Sequence, residues 1–223
     1  MRREQLAPGE FFHIFNRGNN KQNIFVDERD RARLLFLILY FQSQMNFYNI
    51  GRQISNYVKH RMFNIEDDIK KNIVKNRYVE LINFVLMPNH FHLTLCELKN
   101  GGISKYMQRI LNSYTKYFNT KHDQSGHLFQ GPYKMVHIKD NNQLLYLSTY
   151  IHRNPREIKV WANREDQYPW SSYQDYIGQN RWGEILKLDV ISTQFISEQK
   201  YKSFVKTSPA KSRILDEQLI LED

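Results

Sequence analysis

The stretch YVELINFVLMPNHFHLTLCEL, residues 78–98, decides the fold class of this sequence. Residues 78–87 are apolar on both sides of a period-two alternation, which is typical of a central strand covered on both faces. A Pro-Asn pair follows and predicts a tight turn, so residues 90–98 should return as an antiparallel partner. The stretch therefore predicts a β-hairpin at the centre of a sheet.

The second strand of this hairpin carries two histidines. Successive residues of a strand point to opposite faces, so His90 and His92 share one face while Phe91 and Leu93 lie on the other. Two imidazoles at this spacing can direct nitrogens at one metal ion without backbone distortion. Taken alone, such a pair is more often two partly buried histidines with ordinary hydrogen bonds. A divalent ion such as Mg²⁺ or Mn²⁺ would need oxygen ligands from elsewhere.

The remaining elements follow a regular order around the hairpin. We predict a strand over residues 11–16, a helix over 27–45, an amphipathic helix over 103–118, a strand region over 127–138 and a helix over 141–154. The fold class is therefore α+β, a ferredoxin-like antiparallel sheet with helices on one face and one extra helix.

The domain organisation is predicted from the same pattern. Residues 1–160 form one domain, in which the polar stretch 46–77 is an insertion with one or two short helices. Residues 161–223 are a helical C-terminal extension, and the segment YPWSSY at 168–173 anchors it.

Composition excludes several classes of protein. One cysteine in 223 residues excludes an intramolecular disulfide and a multi-cysteine zinc site. No apolar run approaches the length that crosses a bilayer, and the first ten residues lack the apolar core of a signal peptide. We therefore expect a cytoplasmic protein without a membrane partner.

Charge indicates a polyanionic partner. The chain has a net charge of +9, and residues 1–160 hold 24 basic against 13 acidic side chains, a balance of +11. Lys and Arg side chains attract nucleic acid because they release counterions from its phosphates. The 14 Tyr and 14 Phe residues suit unpaired bases, which stack on rings, although most aromatic residues belong to protein cores.

The last predicted helix of the domain carries two further polar groups. Tyr150 and Asn154 are four residues apart, which places a phenol and an amide on one helix face. Taken singly, Tyr150 is typical of an interfacial aromatic and Asn154 of a residue that ends a helix before proline. A metal that neutralises a phosphate would make attack by the tyrosine feasible.

Four stretches together resemble a known family. They are FHIFNRGN at 12–19, VLMPNHFHL at 85–93, GHLFQG at 126–131 and YIHRNP at 150–155. In order and spacing they resemble the REP-associated tyrosine transposases, which are single-tyrosine HUH transposases of the insertion-sequence-200-like family. The resemblance covers residues 10–175. The stretch 46–77 is longer than the usual link, and residues after 175 match nothing that we can assign.

The resemblance implies a single-stranded DNA endonuclease and strand transferase with the HUH fold. Tyr150 would attack a phosphodiester and leave a 5′-phosphotyrosine link and a free 3′-hydroxyl. His90, His92 and Asn154 would hold the divalent metal, Mg²⁺ or Mn²⁺. The substrate would be single-stranded DNA with hairpins or palindromic repeats, bound by a monomer or a homodimer.

Basic and polar residues near these motifs are the predicted DNA contacts. They are Arg17, Asn19, Lys21, Lys105, Arg109, Lys116, His152 and Arg153. Tyr114 and Tyr117 are competing nucleophiles, but neither has an Asn or Gln four residues later. Two other functions stay open: a domesticated protein that binds structured single strands without cutting them, and an RNA-binding module.

Overall fold

Four strands form one antiparallel sheet in the computed structural model, which describes residues 7–210. The strands are β1 (Phe11–Arg17), β2 (Val79–Met87), β3 (His90–Glu97) and β4 (Lys134–Ile138). The helices are α1 (Glu28–Tyr40), α2 (Ile50–His60), α3 (Asp67–Asn76), α4 (Gly102–His122), α5 (Asn141–Arg153), α6 (Tyr173–Tyr176), α7 (Asp189–Ser192) and α8 (Glu198–Thr207). None of these helices is long and apolar enough to cross a membrane.

The strand order is β2-β3-β1-β4, which confirms the ferredoxin-like arrangement. β2 and β3 form the hairpin predicted from the sequence, with Met87 opposite His90. β1 pairs with the other edge of β3, and its last residue, Arg17, also lies opposite His90. The first histidine therefore sits at one end of the two central strands.

The two faces of the sheet are covered by different helices. On the face of Phe91, the ring of Phe129 contacts both Phe91 and the Tyr114 ring of α4. The carboxylate of Glu97 on the same face accepts backbone N–H groups from the first turn of α4, which fixes the start of that helix. Tyr106 joins α4 to α1 by a hydrogen bond to the Ile38 carbonyl. The extra helix, α5, lies against the opposite face, which carries the histidines.

Helix α1 begins at a capping box and ends earlier than the sequence predicts. The Asp27 side chain accepts from the backbone N–H of Asp30, and the Asp30 side chain accepts from that of Asp27. The helix ends at Tyr40 rather than near residue 45. Arg109 donates to the backbone carbonyls of Ser43 and Met45, so this segment is held in a non-helical conformation.

The stretch 46–77 forms two helices that belong to the core. Tyr57 of α2 is buried and packs against Phe36 of α1 and against the indoles of Trp170 and Trp182. The two predicted short helices are therefore present, and they connect α1 to the C-terminal part of the chain.

The C-terminal segment runs along the outer edge of β2. Ser171 bridges to Val85 and Leu186 bridges to Leu81, so part of the outer edge of this strand is paired. Most of residues 154–188 are irregular or 3-10 turns, and α8 is the one long helix between residues 161 and 210. The end of the predicted extension, from residue 211, lies outside the described residues.

Candidate active site

The histidine face of β3 is where the predicted site residues meet. His92 is buried and His90 is half-buried, and their ring centroids are 5.1 Å apart. In each ring the Nδ1 atom faces a partner on the protein side: Asn89 Oδ1 at 2.7 Å from His90, and His13 Nε2 at 2.9 Å from His92. Because Nδ1 is committed in both rings, Nε2 is the nitrogen that each histidine can offer to a ligand.

The state of His92 suits a metal ligand. Burial holds the pKa of His92 well below its usual range, and the neighbouring His13, His90 and Arg17 lower it further. The ring is therefore neutral at physiological pH, which is the form of imidazole that binds metal ions.

Helix α5 brings Tyr150 and Asn154 to the same place. The helix starts at Asp140, whose carboxylate accepts the backbone N–H of Gln143, and it ends at the residue before Asn154. Asn154 Oδ1 lies 3.0 Å from His90 Nε2. The Tyr150 ring stands edge-on to the His92 ring, with centroids 5.4 Å apart. Four side chains from two separate segments thus converge on one face of the sheet.

The donor set of this cluster fits a divalent metal ion. Asn154 is buried and its Nδ2 atom has no hydrogen-bond partner. Hydrogen bonds within the protein therefore do not account for burying a polar amide at this position. An imidazole nitrogen and an amide oxygen, both of which can bind a divalent ion, lie side by side in His90 Nε2 and Asn154 Oδ1, 3.0 Å apart. Between residues 7 and 210 no group of three or more His, Cys, Asp or Glu side chains could hold a metal. The asparagine oxygen is therefore the candidate third protein donor.

His152 is buried inside the protein, whereas the sequence prediction places it at the surface that meets DNA. The ring is fully buried between α5 and the C-terminal segment, and it stacks on Tyr173 with centroids 5.1 Å apart. Its Nε2 lies 2.9 Å from Ser172 Oγ, and its Nδ1 lies 2.7 Å from the Tyr201 hydroxyl. Burial lowers the pKa of His152 to about 3. The residue joins the helix of Tyr150 to the rest of the core.

The network around His152 reaches both the sheet and α8. Ser172 Oγ accepts the backbone N–H of Phe84 in β2, at 2.9 Å. The Tyr201 hydroxyl of α8 also lies 2.6 Å from Ser148 Oγ of α5. Ser172 and Tyr201 therefore hold helix α5 on the side that faces away from His92. Both residues come after residue 160, where the sequence predicts the end of the domain.

Arg109 has partners within the protein. Both terminal nitrogens of its guanidinium donate to the backbone carbonyls of residues 43 and 45, and the group stacks 3.8 Å from the Phe41 ring centroid. These contacts stabilise the segment after α1, and the predicted contact of Arg109 with DNA stays a prediction. Arg153 is partly used in the same way, because it donates to the Ser208 carbonyl, and burial lowers its pKa.

The loop after β1 lies beside the histidines. Gly18 N–H donates to the Asn89 carbonyl at 2.8 Å, and the Asn89 side chain donates to the Lys21 carbonyl at 3.2 Å. The predicted contacts Arg17, Asn19 and Lys21 are thus at the rim of the cluster. Lys105 and Lys116 are exposed on α4, which covers the other face of the sheet.

The competing tyrosines lie away from the histidines. The buried Tyr114 hydroxyl donates to the Ile24 carbonyl at 2.5 Å, and burial raises its pKa well above the usual range. The Tyr117 hydroxyl donates to Asp30 at 3.1 Å. Both belong to α4, on the Phe91 face.

Sequence reasoning missed three residues of this region, which are His13, Ser172 and Tyr201. His13 alternates with Phe12 and Ile14 along β1, and this period places it on the face of Phe15, which lies opposite His92 once the strands are paired. No local pattern marks Ser172 or Tyr201, because their partners are at least 20 residues away in the chain.

Residues 52–154 match the model of a family described as Transposase IS200 like. This stretch of the chain is similar to the IS200-like transposases. It contains His90, His92, Tyr150 and Asn154, and it does not reach β1 or the C-terminal segment.

One solved structure is similar to most of the fold described above. It is described as "Structure of the REP associates tyrosine transposase bound to a REP hairpin". The TM-score is 0.52 at 17% sequence identity, and the match covers 85% of this chain and 92% of that chain. At this identity the likeness establishes the fold. A search of curated protein sequences found no match.

Proposed function

We propose that this protein is an IS200-like transposase that cuts and rejoins single-stranded DNA through Tyr150, with a divalent metal ion held by His90, His92 and Asn154. The observation that carries the proposal is the convergence of these four side chains, from β3 and from α5, on one face of the sheet. A single copy of the chain contains all four, so a monomer or a homodimer could carry the site.

The proposed reaction exchanges one phosphate ester for another. The Tyr150 oxygen forms a bond to the phosphorus of the scissile phosphodiester, and the bond from phosphorus to the 3′-oxygen breaks. The phenol proton ends on the departing 3′-hydroxyl, and the 5′ side of the break stays attached to the tyrosine. Attack by the 3′-hydroxyl of another strand on this phosphotyrosine reverses the exchange and joins the strands.

The metal ion would supply positive charge to the phosphate oxygens in the transition state. Mg²⁺ and Mn²⁺ suit two neutral imidazoles and one amide oxygen that leave coordination positions for phosphate or water. His90 and His92 would bind the ion through Nε2, because their Nδ1 atoms face Asn89 and His13.

The proposed substrate is a single strand that bears a hairpin. The solved structure that shares this fold is bound to a REP hairpin, and residues 1–160 carry a balance of +11. The scissile phosphate must enter between α5 and β3, where Tyr150 packs against His92. A continuous duplex would be too wide for this approach, so the cleaved phosphate should be unpaired.

The test is a cleavage assay on DNA labelled at either end. A hairpin with single-stranded flanks, the same sequence as a full duplex and the matching RNA are incubated with protein and Mn²⁺, and products are resolved on denaturing gels. We expect a covalent protein adduct on the 5′ side of the break in the hairpin DNA alone, and none in excess chelator. Tyr150→Phe should form no adduct and still bind the hairpin, whereas Tyr146→Phe, on the same helix, should cut normally.

Each other outcome is informative. Binding without any adduct in the wild type would support the non-cutting DNA-binding protein. Preference for the RNA would support the RNA-binding module. An adduct that survives in Tyr150→Phe, or one on the 3′ side, would refute the role of this tyrosine.

A further inference from the structure

His13 is a buried histidine of β1 that contacts His92 directly. Its Nε2 atom is 2.9 Å from His92 Nδ1, and the two rings lie 5.1 Å apart at an interplanar angle of 21°. Phe15 packs against both rings, at 4.7 Å from His13 and 5.7 Å from His92. Neither histidine can therefore rotate without displacing the other.

A hydrogen bond between two neutral imidazoles has two possible directions. If His13 donates from Nε2, then His92 Nδ1 accepts and the His92 proton lies on Nε2, which then cannot bind a metal. If His92 donates from Nδ1, its Nε2 carries a free lone pair directed away from His13. Metal binding through Nε2 requires the second direction.

We infer that His13 is a positioning residue for His92: it accepts the Nδ1 proton and holds His92 in the tautomer whose Nε2 binds the metal ion. The inference rests on the proposed function, because it assigns this contact a purpose in the metal site. It adds a residue that lies outside the stretch matched by the family model.

Among the described residues, His13 is the side chain that the structure places against His92 Nδ1. Metal-binding histidines are usually oriented by a carboxylate, a backbone carbonyl or water. In this part of the chain, the side chains whose electrostatic effect lowers the pKa of His92 are His13, His90 and Arg17, with no carboxylate among them. His90 has a different partner, the Asn89 amide oxygen at 2.7 Å. The two histidines of the motif are thus oriented separately, and His92 depends on His13.

The experiment compares two substitutions at His13. His13→Gln keeps an acceptor oxygen close to the position of Nε2, whereas His13→Phe keeps a planar ring and removes the acceptor. His137→Gln and His137→Phe are matched controls, because His137 is a histidine of the neighbouring strand β4 that bonds to Glu10 and does not contact His92.

Two measurements do not depend on cleavage. Mn²⁺ affinity is followed by the loss of the free-ion electron paramagnetic resonance signal, with thermal unfolding as a check on folding. The tautomer of His92 is read from ¹H–¹⁵N spectra of histidine-labelled protein, without metal and with Mg²⁺.

We expect His13→Phe to weaken Mn²⁺ binding by about 10- to 100-fold, and His13→Gln by less than about 10-fold. Both controls should bind like the wild type. In the wild type with Mg²⁺, the His92 proton should lie on Nδ1, and binding of hairpin DNA in chelator should be equal for all variants.

Three results would overturn the inference. These are a folded His13→Phe protein with wild-type Mn²⁺ affinity, a His92 proton on Nε2 in the Mg²⁺-loaded wild type, or a wild type that binds no Mn²⁺. If Mn²⁺ binding depends on His13 as expected but hairpin DNA is never cut, the proposed function fails while the positioning role stands.

Discussion

Lowering the pH should destabilise the folded protein through His152. The ring is completely buried, and both nitrogens bond to hydroxyl groups, Ser172 on one side and Tyr201 on the other. No carboxylate is among the causes that act on its charge, so burial alone lowers its pKa from 6.5 to about 3. Between these two pKa values, the His152 imidazole of the unfolded chain binds a proton and that of the folded protein stays neutral.

The size and the sign of the change in the free energy of unfolding follow from this difference in pKa. Above pH 6.5 the imidazole is neutral in both states, and its contribution to the free energy of unfolding is fully present. As the pH falls from 6.5 toward 3, the unfolded state binds the proton and the folded state does not, so stability is lost at about 1.4 kcal/mol per pH unit. At pH 5 the loss from this residue is about 2 kcal/mol.

The measurement is urea unfolding at pH 7.5 and pH 5.0 for the wild type and for His152→Gln. Other buried groups titrate equally in both proteins, so their contributions cancel in the comparison. We expect the variant to be less stable at pH 7.5 and the gap to narrow by about 2 kcal/mol at pH 5.0. His127→Gln, which removes an exposed histidine, should keep the wild-type pH dependence. A gap between wild type and His152→Gln that does not change with pH would refute this account.

Three further predictions concern substitutions whose effect on stability can be measured separately from their effect on DNA binding. Glu97→Ala should lower the free energy of unfolding by about 2 kcal/mol, because three N–H groups at the start of α4 lose their acceptor, while Glu97→Gln should recover part of it in the same urea titration. Arg109→Met should lower the melting temperature without changing the hairpin affinity of the folded protein. Lys116→Met should leave the melting temperature unchanged and weaken hairpin binding, measured by gel shift at several salt concentrations. The reverse pattern would contradict both assignments. Gly18→Ala should destabilise the loop beside the histidines, since a Cβ there would lie 2.1 Å from the Gln22 carbonyl oxygen, and unaltered thermal unfolding and hairpin binding would count against it.

Much of the fold could be predicted because the decisive pattern is local. The period of two along residues 90–97 separates polar from apolar side chains, and the Pro-Asn turn sets the hairpin. The start of α1 was equally local, since Asp27 caps a helix whose apolar block is buried. Its end was not, because the side chain that holds residues 43 and 45 belongs to Arg109, more than 60 residues later.

The candidate site was also predictable from local spacing in one part and dependent on tertiary packing in another. Spacing alone places His90 with His92 on one face of a strand, and Tyr150 with Asn154 on one face of a helix, because each pair follows the repeat of its own element. That the helix lies on the histidine face, with Asn154 Oδ1 3.0 Å from His90 Nε2, depends on the packing of the whole sheet.

The other face of α5 shows what only the tertiary structure decides. Sequence spacing places His152 on a different side of the helix from Tyr150, but it does not tell whether that side meets DNA or protein. The answer comes from Tyr201, 49 residues away, and from Ser172, which cover the ring completely. A helical repeat sets the direction of a side chain relative to its neighbours, whereas burial depends on chain segments whose positions are set by long-range packing.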